Sequence, residues 1–392
     1  MRRTSLCSMV VGVGLIFGGL VSVASPAGAV PAWSIVPTPN PTALSVAELS
    51  GVSCPTATNC TAVGDADSAD FTSSQTLIEH WNGTTWTMVP SDLTVHAQLH
   101  AVSCPTATNC TAVGVRGNSA LTTAKTLIEH WSGTTWTIVP SPNPTALPLA
   151  TLTGVSCPTP ANCTAVGFAG NTAFTTAKTL IEHWNGTTWT IAASVNPALP
   201  VALLQGVSCP SATSCTAVGA AENHSSGTLR SLVERWNGKT WTLVASPNPT
   251  GPAVLYAVSC PTATNCTAVG NVNNTASTVS KTFIERWNGQ SWAIVPSPTP
   301  TLFPFAGLSG VSCLTATNCT AVGSDYNIGA TVSKTLIERW NGKSWTIVPS
   351  PNPSALPSPE LFAVACPTAS DCTAIGADYG STSAAPLAEQ YG

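Results

Sequence analysis

Charge is what this chain has least of. Only 8% of its 392 residues are Asp, Glu, Lys or Arg, and the formal net charge is −4; an average globular protein carries about 25%. So few charges build neither a basic face for nucleic acid nor an acidic tail. A long apolar run occurs once, from Met9 to Ala24. It falls short of the roughly 20 residues of a membrane-spanning helix, so a polytopic membrane protein is excluded. No apolar pattern holds a 3.6-residue spacing for the ten or more residues that a helix needs. Phosphate-cradling glycine loops and a Gly-x-Ser-x-Gly nucleophile turn are also missing. Disorder is excluded as well, because 43% of residues are hydrophobic and 13 are Trp.

The first feature present is an export signal. Met1-Arg2-Arg3 is a positive leader, Met9–Ala24 an apolar core, and Ala27-Gly28-Ala29 a small-x-small cleavage site before Val30. Cys7 precedes the apolar core, unlike a lipidated N-terminal cysteine. Residues 1–29 are expected to be a signal peptide and 30–392 a single domain, secreted and with no membrane span after cleavage. Removing Arg2 and Arg3 from 13 basic residues leaves 11 against 17 acidic ones, a formal charge of −6.

The second feature is repetition. The pair Cys-x5-Cys occurs seven times: Cys54/Cys60, Cys104/Cys110, Cys157/Cys163, Cys209/Cys215, Cys260/Cys266, Cys313/Cys319 and Cys366/Cys372. One unit reads AVSCPTATNCTAVG, a variable stretch, then KTLIEHWSGTTWTIVPSPNPT. Ala101–Cys104 and Cys110–Val113 are apolar runs flanking a Pro/Thr/Asn turn, and Thr126–Trp131 and Thr135–Val139 flank a Ser-Gly turn. Pro140, Pro142 and Pro144 then end the last strand. Each unit is a predicted four-stranded antiparallel meander, which leaves a propeller or an open solenoid.

The ends decide between them. The chain finishes at Pro386–Gly392, matching the third strand of the other units, with no fourth strand after it. That strand appears at the opposite end as Trp33-Ser-Ile-Val-Pro37. Splitting one unit between the termini suits a ring, so the sequence predicts an all-β, seven-bladed β-propeller closed by Trp33–Val36 beside Leu387–Tyr391.

The unit GVSC…TAVG…LIEHWNGTTWTIVP resembles the blades of the kelch and Asp-box propeller superfamilies, including the photosystem assembly-factor propellers, over nearly the whole mature chain. Gly83, Thr85 and Trp86 match the second half of the Asp-box pattern, while Trp81 and Glu79 stand at its Asp and Ser positions. The resemblance therefore implies the architecture. A sialidase-type activity would need three convergent arginines, and only Arg116 and Arg230 lie outside repeated positions.

Within each unit the two cysteines fall on opposed strands across a short turn, within disulfide distance. Zinc would need four ligands per site, and redox pairs favour Cys-x-x-Cys; seven structural disulfides are expected, each worth roughly 2 kcal/mol on the chain-entropy model. The Trp pairs, Trp81/Trp86 to Trp340/Trp345, are expected to pack unit on unit. The repeated Glu79, Glu129, Glu182, Glu234, Glu285, Glu338 and Glu389 read as structural hydrogen-bonding groups, since no reaction needs seven copies of one acid. The competing reading is a lectin whose pockets use Glu, Arg and Trp. Glu285 and Trp287 share a strand face and Arg286 points away, so such a pocket must take its arginine from an adjacent unit.

Binding groups are expected on the variable face, made by the loops between second and third strands and by the links between units. The candidates are Asp65, Asp67, Asp70, Arg116, Asn118, His224, Asn273, Asp325 and Tyr326. The Asp65/Asp67/Asp70 cluster lacks the Gly and terminal Glu of a calcium loop. No metal, cofactor or catalytic residue is assigned. The Asn-x-Thr matches follow from the repeat, and the signal is of bacterial type, so glycosylation is not read from them. The function expected is a monomeric, non-catalytic scaffold that binds an extracellular protein or cell-surface partner. The alternatives are a glycan-binding propeller and, third, an extracellular hydrolase or lyase.

Overall fold

The computed structural model describes residues 31–392 apart from 42–43, 70–71, 92–95, 119–121, 224 and 330. The export segment 1–29, Asp70 and His224 lie outside the described residues. Among the described residues there are 28 strands and no helix. Unit 1 consists of an inner strand Val46–Thr56, a second strand Asn59–Asp67, a third Ser74–Trp81 and an outer Trp86–Met88. Consecutive strands pair antiparallel, and the quartet recurs as far as Trp345–Val348. The last unit has three strands in sequence, Ser358–Ala365, Cys372–Tyr379 and Ala384–Tyr391. Its fourth is Trp33–Ile35, in register Trp33↔Tyr391, Ser34↔Gln390 and Ile35↔Glu389.

Strands run further than their apolar stretches. In unit 2 the inner pair spans Ala97–Thr106 and Asn109–Gly117, because a ladder needs only backbone N–H and C=O groups. Consequently Asp65, Asp67, Arg116, Asn273, Asp325 and Tyr326 sit on strand ends, not on the loops where the sequence reading placed them.

Side chains alternate between the two neighbours of each sheet. Ile78 packs with Leu99 and Leu127 of the next unit, whereas Leu77 packs with Ile375 and Ala388 of the last one. Seven apolar clusters result, each drawn from two adjacent units. The Trp pairs meet across their hairpins, with ring centroids 5.7 Å apart in Trp81/Trp86, and Trp33 meets Tyr391 at 5.6 Å in the last unit. The hairpin turn uses Asn-Gly chemistry: Asn82 Oδ1 accepts the N–H groups of Thr84 and Thr85 at 2.9 Å, and Gly83 has φ 96°.

All seven disulfides are present, with Cα atoms 4.0–4.1 Å apart. As the sequence reading has it, each pair flanks the turn between the first two strands of its unit; the structure adds how deep the second cysteines lie. Cys60, Cys110, Cys163, Cys215, Cys266 and Cys319 are core residues, at most 1% exposed. Each sits on the second strand opposite the first Trp of its own unit, in the registers Cys60↔Trp81, Cys110↔Trp131, Cys163↔Trp184, Cys215↔Trp236, Cys266↔Trp287 and Cys319↔Trp340. These cysteines therefore staple the interior and present no surface to a ligand. Each second cysteine sulfur also lies beside a threonine hydroxyl of the preceding unit. Thr61 meets Cys110 at 3.9 Å, the contact repeats at each step, and Thr373 of the last unit returns to Cys60 at 3.7 Å. Six first cysteines donate their N–H to a serine of the preceding unit, as Cys104 does to Ser53 at 3.0 Å. At the junction of the last unit with the first, the serine position holds Ala365.

The seven glutamates are completely buried. A serine of the preceding unit donates to each of six, for example Ser246 to Glu285 at 2.8 Å and Ser297 to Glu338 at 2.7 Å. At the remaining junction the equivalent residue is Thr38, whose hydroxyl donates to the Pro386 carbonyl at 3.0 Å. Both carboxyl oxygens of Glu79 have no hydrogen-bond partner among the described residues. Burial pushes its pKa up to about 8. Glu285 and Glu338, raised by burial and drawn back by their serines, reach about 7.

Candidate functional site

Each inner strand is interrupted by a β-bulge just after a buried leucine, as between Leu49 and Gly51 or Leu204 and Gly206. A bulge leaves one residue out of the ladder and re-aims its side chain. Those residues are Ser50, His100, Thr153, Gln205, Tyr256, Ser309 and Phe362, and all seven line one cavity of about 170 Å³. Small residues follow them because neighbouring inner strands nearly touch: a Cβ on Gly206 would lie 2.8 Å from the Tyr256 carbonyl. The wall holds itself together. His100 Nδ1 lies 2.8 Å from the Leu152 carbonyl, and Thr153 donates to Leu204 O at 2.7 Å. At that volume the cavity is below the 300–1,000 Å³ typical of organic-ligand pockets.

Toward the variable face the inner strands differ from unit to unit. Two residues before each bulge stand Glu48, Gln98, Thr151, Leu203, Val254, Gly307 and Glu360, and the acidic members come from the first and last units. Glu48 faces Asp65 across the ladder. The Tyr379 hydroxyl donates to Glu48, and the Gln98 amide donates to Asp65 at 3.3 Å. Burial, then the charges of Glu48 and Asp67, push the Asp65 pKa up to about 8. Burial and Glu48 raise Glu360; burial and the adjoining carboxylates raise Tyr379. Beside them Tyr326 stacks on Phe305, centroids 5.3 Å apart and planes within 5°.

Of the candidate residues, Asp65 and Asp67 are buried on the second strand of unit 1, and Asp65 belongs to this acidic cluster. Tyr326 borders it, and burial followed by the charge of Glu360 raises its pKa. Asp325 is buried opposite Lys334. Arg116 is exposed, paired with Lys125 across the ladder. Asn118 closes its own loop, its Oδ1 accepting the Thr122 and Thr123 N–H groups at 2.9 and 3.2 Å. Asn273 accepts from Asn271 at 3.3 Å. Sequence reasoning missed Glu48, Gln98, Glu360 and Tyr379. A column-by-column comparison of the seven inner strands carries the signal for the first three, because two places before the bulge the repeat stops repeating. Among the described residues no group of three or more His, Cys, Asp or Glu side chains is placed to share a metal ion.

No protein-family model matches the chain, and no curated protein is similar to it in sequence. Solved structures do match. YCF48 bound to D1 peptide is 15% identical, with 94% of this chain and 99% of that chain covered and a TM-score of 0.52. A polysaccharide lyase of family PL25, an ulvan lyase, is 10% identical, with 83% and 89% covered and a TM-score of 0.55. The same lyase bound to a glucuronate–sulfated rhamnose saccharide gives 9% and 0.54. At such identities the likeness is one of fold, and the fold is a β-propeller.

Proposed function

We propose that residues 30–392 form a single secreted seven-bladed propeller, closed by its N-terminal strand, that binds an extracellular polypeptide at the acidic, tyrosine-rimmed mouth of its variable face and catalyses no reaction. The seven-bladed reading is supported by one cavity lined from seven inner strands, by the Thr–Cys contacts that return to Cys60, and by the cluster joining Ile375 and Ala388 to Ala47 and Leu49. Seven disulfides suit an oxidising compartment.

The observation that carries the binding reading is the cluster of Glu48, Asp65 and Glu360: Glu48 faces Asp65 across the ladder, accepts from the Tyr379 hydroxyl, and its charge acts on both Asp65 and Glu360. Carboxyls buried and crowded together are expensive to keep for stability alone, and perturbed titrating groups gather at functional sites. A lysine or arginine of a polypeptide segment would favour the ionised form of these carboxyls and pair with them. YCF48, of the same fold, is seen with a peptide. The test immobilises the mature protein and its Glu48→Gln/Glu360→Gln variant, exposes both to culture supernatant and cell-envelope extract, and identifies what each retains. Proteins held by the parent and lost by the variant are the expected result. Identical sets on both surfaces, or retention of glycans alone on a parallel array, would defeat the reading.

A further inference from the structure

A second candidate site lies at the opposite end of the sheets, beside the Cys-x5-Cys and Trp-Asn-Gly turns. It is independent of the reading just given. At three junctions between units an arginine of one unit covers an aromatic ring of the next. The guanidinium carbons of Arg235, Arg286 and Arg339 lie 4.3, 4.6 and 4.4 Å from the ring centres of Trp287, Trp340 and Tyr391. Each also donates to a turn carbonyl of the next unit; Arg286 reaches Ala316 O at 2.6 Å and Asn265 Oδ1 at 3.1 Å. Under these arginines Trp287 is 6% exposed and Trp340 7%.

At three other junctions the arginine position holds the shorter His80, His130 or His183. The rings at the corresponding positions of the next units, Trp131, Trp184 and Trp236, are half-buried. Between His80 and Trp131 a cleft of about 280 Å³ remains, lined also by Trp136, Asn59, Ala107 and Thr108. Asn59 and Ala107 stand where Asn265 and Ala316 hold the guanidinium of Arg286. The protein thus contains three filled copies of this site and, between its first two units, one open copy with the same ring, carbonyl and amide positions.

We propose that the His80/Trp131 cleft takes the arginine side chain of a partner polypeptide, its guanidinium over the Trp131 indole face in the place that Arg286 occupies over Trp340. A guanidinium is planar, lies flat on an aromatic ring and keeps its edge donors free for carbonyls, which an ammonium matches less well. Burial lowers the pKa of His80 below its ordinary value, which disfavours a repelling charge beside an incoming guanidinium.

The test follows the Trp131 indole N–H signal by NMR in ¹⁵N-labelled mature protein, assigned by its loss in Trp131→Phe. The probe is the capped tripeptide Gly-Arg-Gly; its citrulline analogue, of nearly the same shape without the charge, is the control. The Trp131 signal should move in a saturable way with the arginine peptide, and the citrulline peptide should bind at least tenfold more weakly. His80→Arg should place the signal at its shifted position from the start and abolish the response. That variant supplies what the other junctions already contain, so it is expected to fold. A Trp131 signal that ignores the arginine peptide, answers both peptides equally, moves only with a sugar, or still responds in His80→Arg overturns the proposal.

Discussion

Replacing Glu79 by Gln tests the account of the junction between the last unit and the first. Glu79 is completely buried with neither carboxyl oxygen bonded among the described residues, and burial moves its pKa from 4.5 to about 8. Between those values the folded protein holds a proton that the unfolded chain has released. Stability from this group is therefore full below about pH 4.5 and is lost as pH rises through about 8. One pKa unit corresponds to about 1.4 kcal/mol, so raising the pH from 5 to 8 costs the parent about 3 kcal/mol through Glu79 alone. Glutamine keeps the shape and does not titrate. Equilibrium urea unfolding of both proteins at pH 5, 6, 7 and 8, read by tryptophan fluorescence and far-ultraviolet dichroism, isolates the term as a difference of differences. The other raised glutamates slope the same way in both proteins and cancel. The variant should gain on the parent by about 3 kcal/mol across the range, beginning near equality at pH 5. Profiles that stay parallel within about 0.5 kcal/mol would refute the reasoning, since they would mean that this carboxyl is solvated or partnered.

Ala365→Ser should restore at this junction the serine that receives a cysteine N–H at the other six, raising stability by about 1 kcal/mol in thermal melts; no gain would mean that the Cys54 N–H is already satisfied. Trp33→Ala should cost about 3 kcal/mol or more, because Trp33 is buried between Tyr391 and the apolar residues of the last junction. A loss below about 1 kcal/mol in urea unfolding would show that the N-terminal strand contributes little to the fold.

The fold was legible because it is written seven times. Four short apolar runs per unit, turn residues between them and the shared final unit led to an all-β propeller with Trp33–Val36 beside Leu387–Tyr391, and Trp33–Ile35 is observed paired with Glu389–Tyr391. The Cys pairs and the Glu positions were readable for the same reason, since a residue copied once per unit serves the unit. How deep the second cysteines lie was not readable, because the cover over Cys163 or Cys266 comes from the neighbouring sheet. The limits of the strands were harder to read. Asp65, Asp67 and Tyr326 look like loop residues by type, yet backbone pairing carries them into the sheet whatever their polarity. The mouth was least legible. Glu48 and Tyr379 are 331 positions apart and meet only because the two ends of the chain share a junction. The exchange of Arg for His between units was plain in sequence. What it does to the facing indole depends on the neighbouring sheet and needed coordinates.

The pairing of Trp33 with Tyr391 also sets how the molecule answers to force. The two strands run antiparallel and their free ends point the same way, so tension between the termini peels the ladder one rung at a time instead of shearing all rungs together. A tether at both ends would detach the three-residue strand Trp33–Ile35 first, at low load, while all seven disulfide-stapled strand pairs stayed intact. Strain would thus be felt first at the Trp33–Tyr391 ladder, before it reached the other contacts between the last unit and the first.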